Sequence, residues 1–115
     1  MEKFKIEDAM NIYGIDAWGV RYFSVSEEGF LNVHPTAEPN QSVDVFKTVQ
    51  ELQKTRIQTP VILRFPQILA SRVNGLCTAF ADAINEFNYK NTYHPVFPIK
   101  VNQQEGVVDA LLEAG

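Results

Sequence analysis

The order of apolar and polar residues predicts a β-hairpin near the start of the chain. Apolar and polar side chains alternate around residues 21–25, a polar turn follows at residues 26–29, and residues 30–33 are again largely apolar. Gly29 stands where the turn would need a positive φ. Residues 34–41 contain two prolines and no periodicity, which is typical of a loop, and they are the best candidate for a domain boundary.

The second part of the chain changes to longer periodic segments. Val45, Val49 and Leu52 recur at helical spacing behind Ser42, which we expect to cap the N-terminus of a helix. A longer apolar stripe with steps of three and four residues predicts a helix from about residue 67 to 87. The final stretch, residues 107–114, predicts a further helix with Gly115 as its C-cap.

Two short apolar runs separate these helices and predict buried strands. They are "VILRF" at residues 61–65, closed by Pro66, and "HPVFPIKVNQ" at residues 94–103. Strand, helix, strand, helix is the βαβα order of a parallel sheet covered by helices. Two strands cannot complete such a sheet, so the pattern favours the start of something larger, either the first part of a barrel or a domain that a partner completes.

Composition narrows the possible classes of function. With 115 residues and 45% hydrophobic content, the chain suits one small globular domain. A net charge of -4 argues against a nucleic-acid partner, since such proteins carry a basic surface. No apolar run is long enough to span a membrane. Cys77 is the only cysteine, so no internal disulfide can form, and we expect a cytoplasmic protein.

Lys100 is the residue whose position raises a chemical question, because it lies near the carboxyl end of an apolar predicted strand. Proteins with α/β folds bind their ligands at the carboxyl ends of the strands. A lysine desolvated in an apolar pocket has a lowered pKa and can form a Schiff base with a carbonyl compound. The ordinary alternative is a strand-end lysine that extends its amine to solvent, which Pro98 supports because proline prefers edge strands. Spacing alone favours the ordinary alternative, because lysines are common in strands and strongly perturbed lysines are uncommon.

The other polar candidates carry weaker signals. His34 and His94 lie far apart in the sequence without cysteine or acidic companions at ligand spacing, so a metal site is not expected and both fit loop histidines. His94 precedes the lysine strand and could reach its pocket. Arg64 interrupts the first apolar strand and could meet a phosphate or carboxylate, or serve as a hydrogen-bonded structural arginine.

Longer strings of the sequence resemble a known enzyme family, the biosynthetic arginine decarboxylases of the alanine-racemase-like fold type. The most specific strings are "YHPVFPIKVNQQ" at residues 93–104 and "TPVILRFPQIL" at residues 59–69. The likeness continues, in order along nearly the whole chain, through "IDAWG" (15–19), "YFSVSEEGFLNV" (22–33), "NEFNYKNTY" (85–93) and "VVDALLEAG" (107–115).

The resemblance implies an N-terminal segment of a pyridoxal 5'-phosphate enzyme that converts L-arginine to agmatine and carbon dioxide in polyamine biosynthesis. In that family the lysine of the "PIKVNQ" string holds the cofactor as an internal aldimine, and it corresponds to Lys100. The implied fold is a (β/α)8 barrel joined to a β-rich domain. Residues 1–41 would be a lead-in whose hairpin belongs to the β-rich domain, and residues 42–115 would be the first barrel elements.

The same resemblance implies magnesium, whose ligands are not recognisable in this segment, and a homo-oligomer, since the active site of this fold type lies between subunits. The phosphate-binding and substrate-binding residues of the family lie downstream in full-length relatives, so the segment alone would be inactive. The alternative from a different class is a stand-alone α/β binding or interaction module without catalysis, in which the lysine string serves only structure.

Overall fold

The computed structural model describes residues 3–115, which form two compact units. The first unit extends to Arg64, and the second comprises Phe65–Gly115. The helices are α1 (Ile6–Tyr13), α2 (Ile15–Gly19), α3 (Val45–Lys54), α4 (Pro66–Glu86) and α5 (Glu105–Glu113). The strands are β1 (Phe23–Val25), β2 (Leu31–Val33) and β3 (Val43–Asp44), and a 3₁₀ helix covers Ile99–Val101.

The N-terminal unit contains an antiparallel sheet in the order β1-β2-β3. Phe23 pairs with Val33 across the hairpin, which confirms the predicted β1–β2 pairing. The turn is closed by the Gly29 N–H, which donates to the Ser26 carbonyl at 2.9 Å, and Gly29 has the predicted positive φ of 86°. The third strand was not predicted, since it consists of two residues with no alternation to reveal it.

Two short N-terminal helices pack against this sheet, and the sequence pattern did not predict them. The Asp8 carboxylate accepts a hydrogen bond from the Lys5 N–H at 2.7 Å at the start of α1. At the other end, Gly14 adopts a left-handed conformation and ends the helix. The core of the unit lies where α2 meets the hairpin, and its buried apolar residues are Ile15, Tyr22 and Val33.

Helix α3 confirms the predicted helix but corrects its beginning. Asp44, rather than Ser42, is the N-cap, and its carboxylate accepts a hydrogen bond from the Lys47 N–H at 2.8 Å. Phe46 of this helix stacks on Phe30 of the hairpin, with ring centroids 5.1 Å apart. These contacts attach α3 to the sheet of the same unit.

The C-terminal unit consists of α4 packed against α5, with an irregular segment between them. Both helices were predicted within one or two residues of their observed ends. Tyr93 stacks on Phe80 of α4 with ring centroids 3.9 Å apart, and this contact holds the segment after α4 against that helix. Within this unit Ala110 alone is buried among the described residues, so the apolar stripe of α4 remains partly exposed.

The two predicted parallel strands are not formed within residues 3–115. Residues 61–65 have no regular structure, and residues 94–98 have none before the 3₁₀ helix begins at Ile99. A strand needs neighbours to satisfy its backbone groups, and the three-stranded antiparallel sheet is the only sheet within residues 3–115. Pro98 supplies a local cause, because it lacks an N–H and begins the 3₁₀ turn with φ of -77°.

The fold class is therefore confirmed only as helices combined with a small sheet. The predicted division at residues 41 and 42 concerns a larger enzyme and stays a prediction. Contacts within the chain place α3 with the hairpin in the N-terminal unit, so the boundary along the sequence lies between Arg64 and Phe65.

Candidate active site

Lys100 lies at the centre of the 3₁₀ helix in the C-terminal unit. The turn is closed by the Val101 N–H, which donates to the Pro98 carbonyl at 3.0 Å, and by the Asn102 N–H, which donates to the Ile99 carbonyl at 3.1 Å. The side chain of Lys100 is exposed, as are its neighbours Ile99 and Val101, at 55% and 73%. An amine between two exposed apolar side chains marks a surface that could be covered, since such residues gain by leaving water.

The amine of Lys100 has no acidic partner in the part of the chain that the structure describes. Other lysines do form ion pairs, such as Lys47 with Asp44 at 3.4 Å and Lys54 with Glu51 at 2.6 Å. A primary amine that is not engaged by a carboxylate can attack an aldehyde once it is deprotonated. The donor chemistry of Lys100 therefore fits the aldehyde of pyridoxal phosphate.

An apolar groove lies beside this turn, and we call it the α4–α5 groove. It has a volume of about 420 Å³, and its lining includes Val73 and Leu76 of α4, Pro95, Phe97 and Ile99 of the intervening segment, and Leu111 of α5. Lys100 itself does not line the groove. With so few polar groups in its wall, the groove suits apolar side chains better than a charged amino acid.

His94, the other polar candidate of the C-terminal unit, is not among the residues that line the groove. His94 is exposed, and its Nε2 lies 3.0 Å from the Thr92 hydroxyl. Arg64 is exposed at the end of the first unit. The possible reach of His94 toward a lysine pocket and the possible phosphate contact of Arg64 stay predictions.

His34 differs from the loop histidine expected from the sequence, because it is 9% exposed. Its Nε2 lies 2.7 Å from the Ser24 hydroxyl, and its backbone N–H donates to the Tyr22 carbonyl at 2.8 Å. Nδ1 is buried without a hydrogen-bond partner in the structure. The hairpin register could have indicated this burial. Phe23 pairs with Val33, so the next residues along the two strands, Tyr22 and His34, lie close together.

Residues 3–115 contain neither a cluster of metal ligands nor a membrane-spanning helix. No group of three or more histidine, cysteine, aspartate or glutamate side chains lies close enough to hold a metal ion there. None of the helices in that range has both the length and the apolar character needed to cross a membrane.

Curated proteins similar to this chain are named biosynthetic arginine decarboxylase. One from Prochlorococcus marinus subsp. pastoris (strain CCMP1986 / NIES-2087 / MED4) is 44% identical over 114 residues, which are 99% of this chain. One from Gloeobacter violaceus (strain ATCC 29082 / PCC 7421) is 40% identical over 115 residues, 100% of the chain. The chain spans only about 18% of the length of each relative. No protein-family model matches the chain.

These relatives confirm the resemblance deduced from the sequence strings. The alignment extends through both compact units, so the likeness does not rest on the lysine string alone. The relatives favour the enzyme interpretation over a stand-alone binding module, because each is a much longer protein that carries the name of an enzyme.

Proposed function

We propose that this chain is the N-terminal segment of a biosynthetic arginine decarboxylase, which converts L-arginine to agmatine and carbon dioxide. The observation that carries the proposal is the 44% identity over 99% of the chain to a protein of that name. Identity at this level over both units favours a common fold and a common position of the lysine. The segment by itself would be inactive, since it corresponds to about 18% of that relative's length.

Lys100 is the residue that would hold pyridoxal phosphate, through its amine. When bound, the cofactor supplies an electron sink for the electron pair released as the carboxylate of the substrate leaves. The exposed Ile99 and Val101 beside the amine would exclude water from it once the rest of the enzyme covers them. The contacts to the phosphate and to arginine would come from other parts of the enzyme, as would any magnesium ligands.

The larger fold proposed is a (β/α)8 barrel in which residues 61–65 and 94–103 become parallel strands. Both segments are apolar, and strands form when neighbours satisfy their backbone groups. Helices α4 and α5 would then be the first two helices around the barrel. The hairpin of β1 and β2 would join a β-rich domain, and the complete enzyme would be a cytoplasmic homo-oligomer.

The decisive test is cofactor trapping in the longest natural form of the protein. Borohydride treatment with pyridoxal phosphate should leave a reduced cofactor label on Lys100, located by peptide mapping. The same protein should release carbon dioxide from L-arginine and produce agmatine. Lys100→Ala should lower kcat by roughly 10³-fold or more, the scale seen when a covalent catalytic group is removed.

Lys90→Ala is the matched control, because Lys90 is also an exposed lysine of the C-terminal unit, hydrogen-bonded to Asn88 at 2.6 Å. It should retain both the label and the activity. A chimera in which this chain replaces the matching stretch of the Prochlorococcus marinus MED4 relative provides a second format. Absence of label on Lys100 in a folded, cofactor-binding protein would contradict the assignment of this lysine.

A further inference from the structure

Asn102 connects the turn that holds Lys100 to the helix that follows it. Its backbone N–H donates to the Ile99 carbonyl at 3.1 Å and closes the 3₁₀ turn around Lys100. Its side-chain oxygen, Oδ1, accepts a hydrogen bond from the N–H of Gln104, the N-cap residue of α5, at 3.2 Å. One residue therefore contacts both the end of the lysine turn and the start of the helix.

Helix α5 is the fixed side of this connection. The Gln104 carbonyl accepts hydrogen bonds from the N–H groups of Val107 at 2.9 Å and Val108 at 3.1 Å, which form the first turn of the helix. Ala110 of this helix is buried, and α5 packs against α4. Because Gln104 is bonded into a packed helix, its N–H is a defined point to which the preceding segment can be attached.

The lysine segment, by contrast, has little to hold it in place. Ile99, Lys100 and Val101 are exposed, and residues 94–98 before them have no regular structure. A lysine that forms a covalent bond must place its amine accurately against the carbon that it attacks, and a displacement of about 1 Å can cost roughly 10²-fold in rate. The contact between Asn102 and Gln104 limits such displacements.

From these contacts we infer that Asn102 is a positioning residue for the amine of Lys100, and that it acts through its side-chain oxygen. This inference rests on the proposed function, in which Lys100 holds pyridoxal phosphate. In the proposed barrel, Asn102 would lie at the end of a strand, and Gln104 would directly precede the next helix. The side-chain contact involves only residues 102–104, so it does not require the 3₁₀ turn.

Substitution of Asn102 in the longest natural form of the protein tests this role. After removal of the cofactor, each variant is mixed with pyridoxal phosphate and quenched with borohydride at successive times, and the label on Lys100 is measured by peptide mapping. Asn102→Ala removes the oxygen acceptor, so it should lower both this labelling rate and kcat by roughly 10- to 100-fold. Both rates are expressed per folded protein, measured by circular dichroism, because a purely structural role would change only the folded fraction.

Two variants that keep an oxygen atom test the mechanism. Asn102→Ser supplies a neutral acceptor and Asn102→Asp a charged one, and both residue types accept hydrogen bonds from nearby backbone N–H groups. At least one of them should recover most of the lost rate. Gln103→Ala is the matched control, since Gln103 is the adjacent exposed residue, and it should retain the wild-type rates.

The inference is overturned by wild-type rates for Asn102→Ala, by equal losses in Asn102→Ala and Gln103→Ala, or by recovery in neither oxygen-containing variant. Failure of the proposed function gives a different result. If the wild-type protein acquires no label on Lys100, the assignment of that lysine fails, and this inference fails with it. If the wild-type protein is labelled and active while Asn102→Ala matches it, only the role of Asn102 is rejected.

Discussion

At the scale of single residues, the two histidines show how position decides the role of one side chain. His34 follows β2 and is buried beside Ser24, whereas His94 lies in an exposed irregular segment beside Thr92. Their sequence neighbourhoods are similar, since each is next to a proline. The difference arises because the hairpin register carries His34 toward Tyr22, and no such pairing acts on His94.

His34→Ala should therefore destabilise the protein, while His94→Ala should not. The first substitution removes a buried ring and its hydrogen bond to Ser24, so we expect the free energy of unfolding to fall by about 1–3 kcal/mol. The second changes an exposed side chain and should alter it by less than about 0.5 kcal/mol. Urea unfolding of the longest natural form measures both values. Equal effects would contradict the burial of His34.

Glu28 offers a test by titration. The pKa of the Glu28 carboxyl is lowered, first by a hydrogen bond from the Ser26 side chain and second by one from the backbone N–H of Glu28. A lowered pKa means that this carboxylate stabilises the folded state above its unfolded pKa, and that the contribution is lost as pH falls through the folded pKa. Ser26→Ala should raise the pKa of Glu28 in an NMR titration. Ser24→Ala, on the neighbouring strand, should leave it unchanged.

At the scale of elements, α3 shows how one of two nearby residues becomes the N-cap of a helix. Ser42 and Asp44 are both good N-cap residues, and the sequence alone does not choose between them. The pairing of β2 with β3 includes Val43 and Asp44, so the strand continues through Asp44 and the helix cannot begin earlier. A tertiary contact, the sheet, thus sets the first residue of the helix.

Asp44→Ala should reduce the free energy of unfolding by about 1 kcal/mol, because the Lys47 N–H loses its acceptor. Asp44→Asn keeps an oxygen acceptor and should restore most of that loss. Ser42→Ala should be nearly neutral. Chemical denaturation of the three variants in the longest natural form provides the comparison. A larger effect at Ser42 than at Asp44 would contradict the observed cap.

At the scale of the whole molecule, the chain exposes more surface than compact proteins do. Its accessible area is 9349 Å². Two separately folded compact units of these lengths would together expose roughly 7,600 Å² by the size scaling of globular proteins. The excess holds without any assumption about the arrangement of the two units. A surface of this size supports the proposal that this chain is one segment of a longer enzyme, since the relatives are much longer.

Residues 1–115 expressed alone should therefore unfold without a sharp transition and bind a hydrophobic dye such as ANS. The longest natural form should show a cooperative thermal transition and little dye binding, because it buries the apolar surface of α4 and α5. Calorimetry and dye fluorescence on both proteins test this. A cooperative transition without dye binding for residues 1–115 would instead favour the stand-alone module.

Some helices and strands depend mainly on residues that are close together in the sequence, and local sequence patterns determined these elements. The hairpin with Gly29, the long helix α4 and the final helix α5 follow from periodicity and turn chemistry, which act over a few residues. The strings around Lys100 likewise determined the resemblance, which the relatives confirm. The sequence thus provided the candidate lysine and its chemistry, but not its surroundings.

Only the tertiary structure decided which apolar segments become strands and which polar groups are buried. Residues 61–65 and 94–103 have the composition of strands, yet a strand requires hydrogen-bonded neighbours that residues 3–115 do not provide. The cap at Asp44 and the burial of His34 depend on strand register, a contact between distant residues. Contacts between distant residues leave no mark in a local sequence pattern. The sequence alone therefore determined the hairpin and the helices, whereas the structure determined which segments pair.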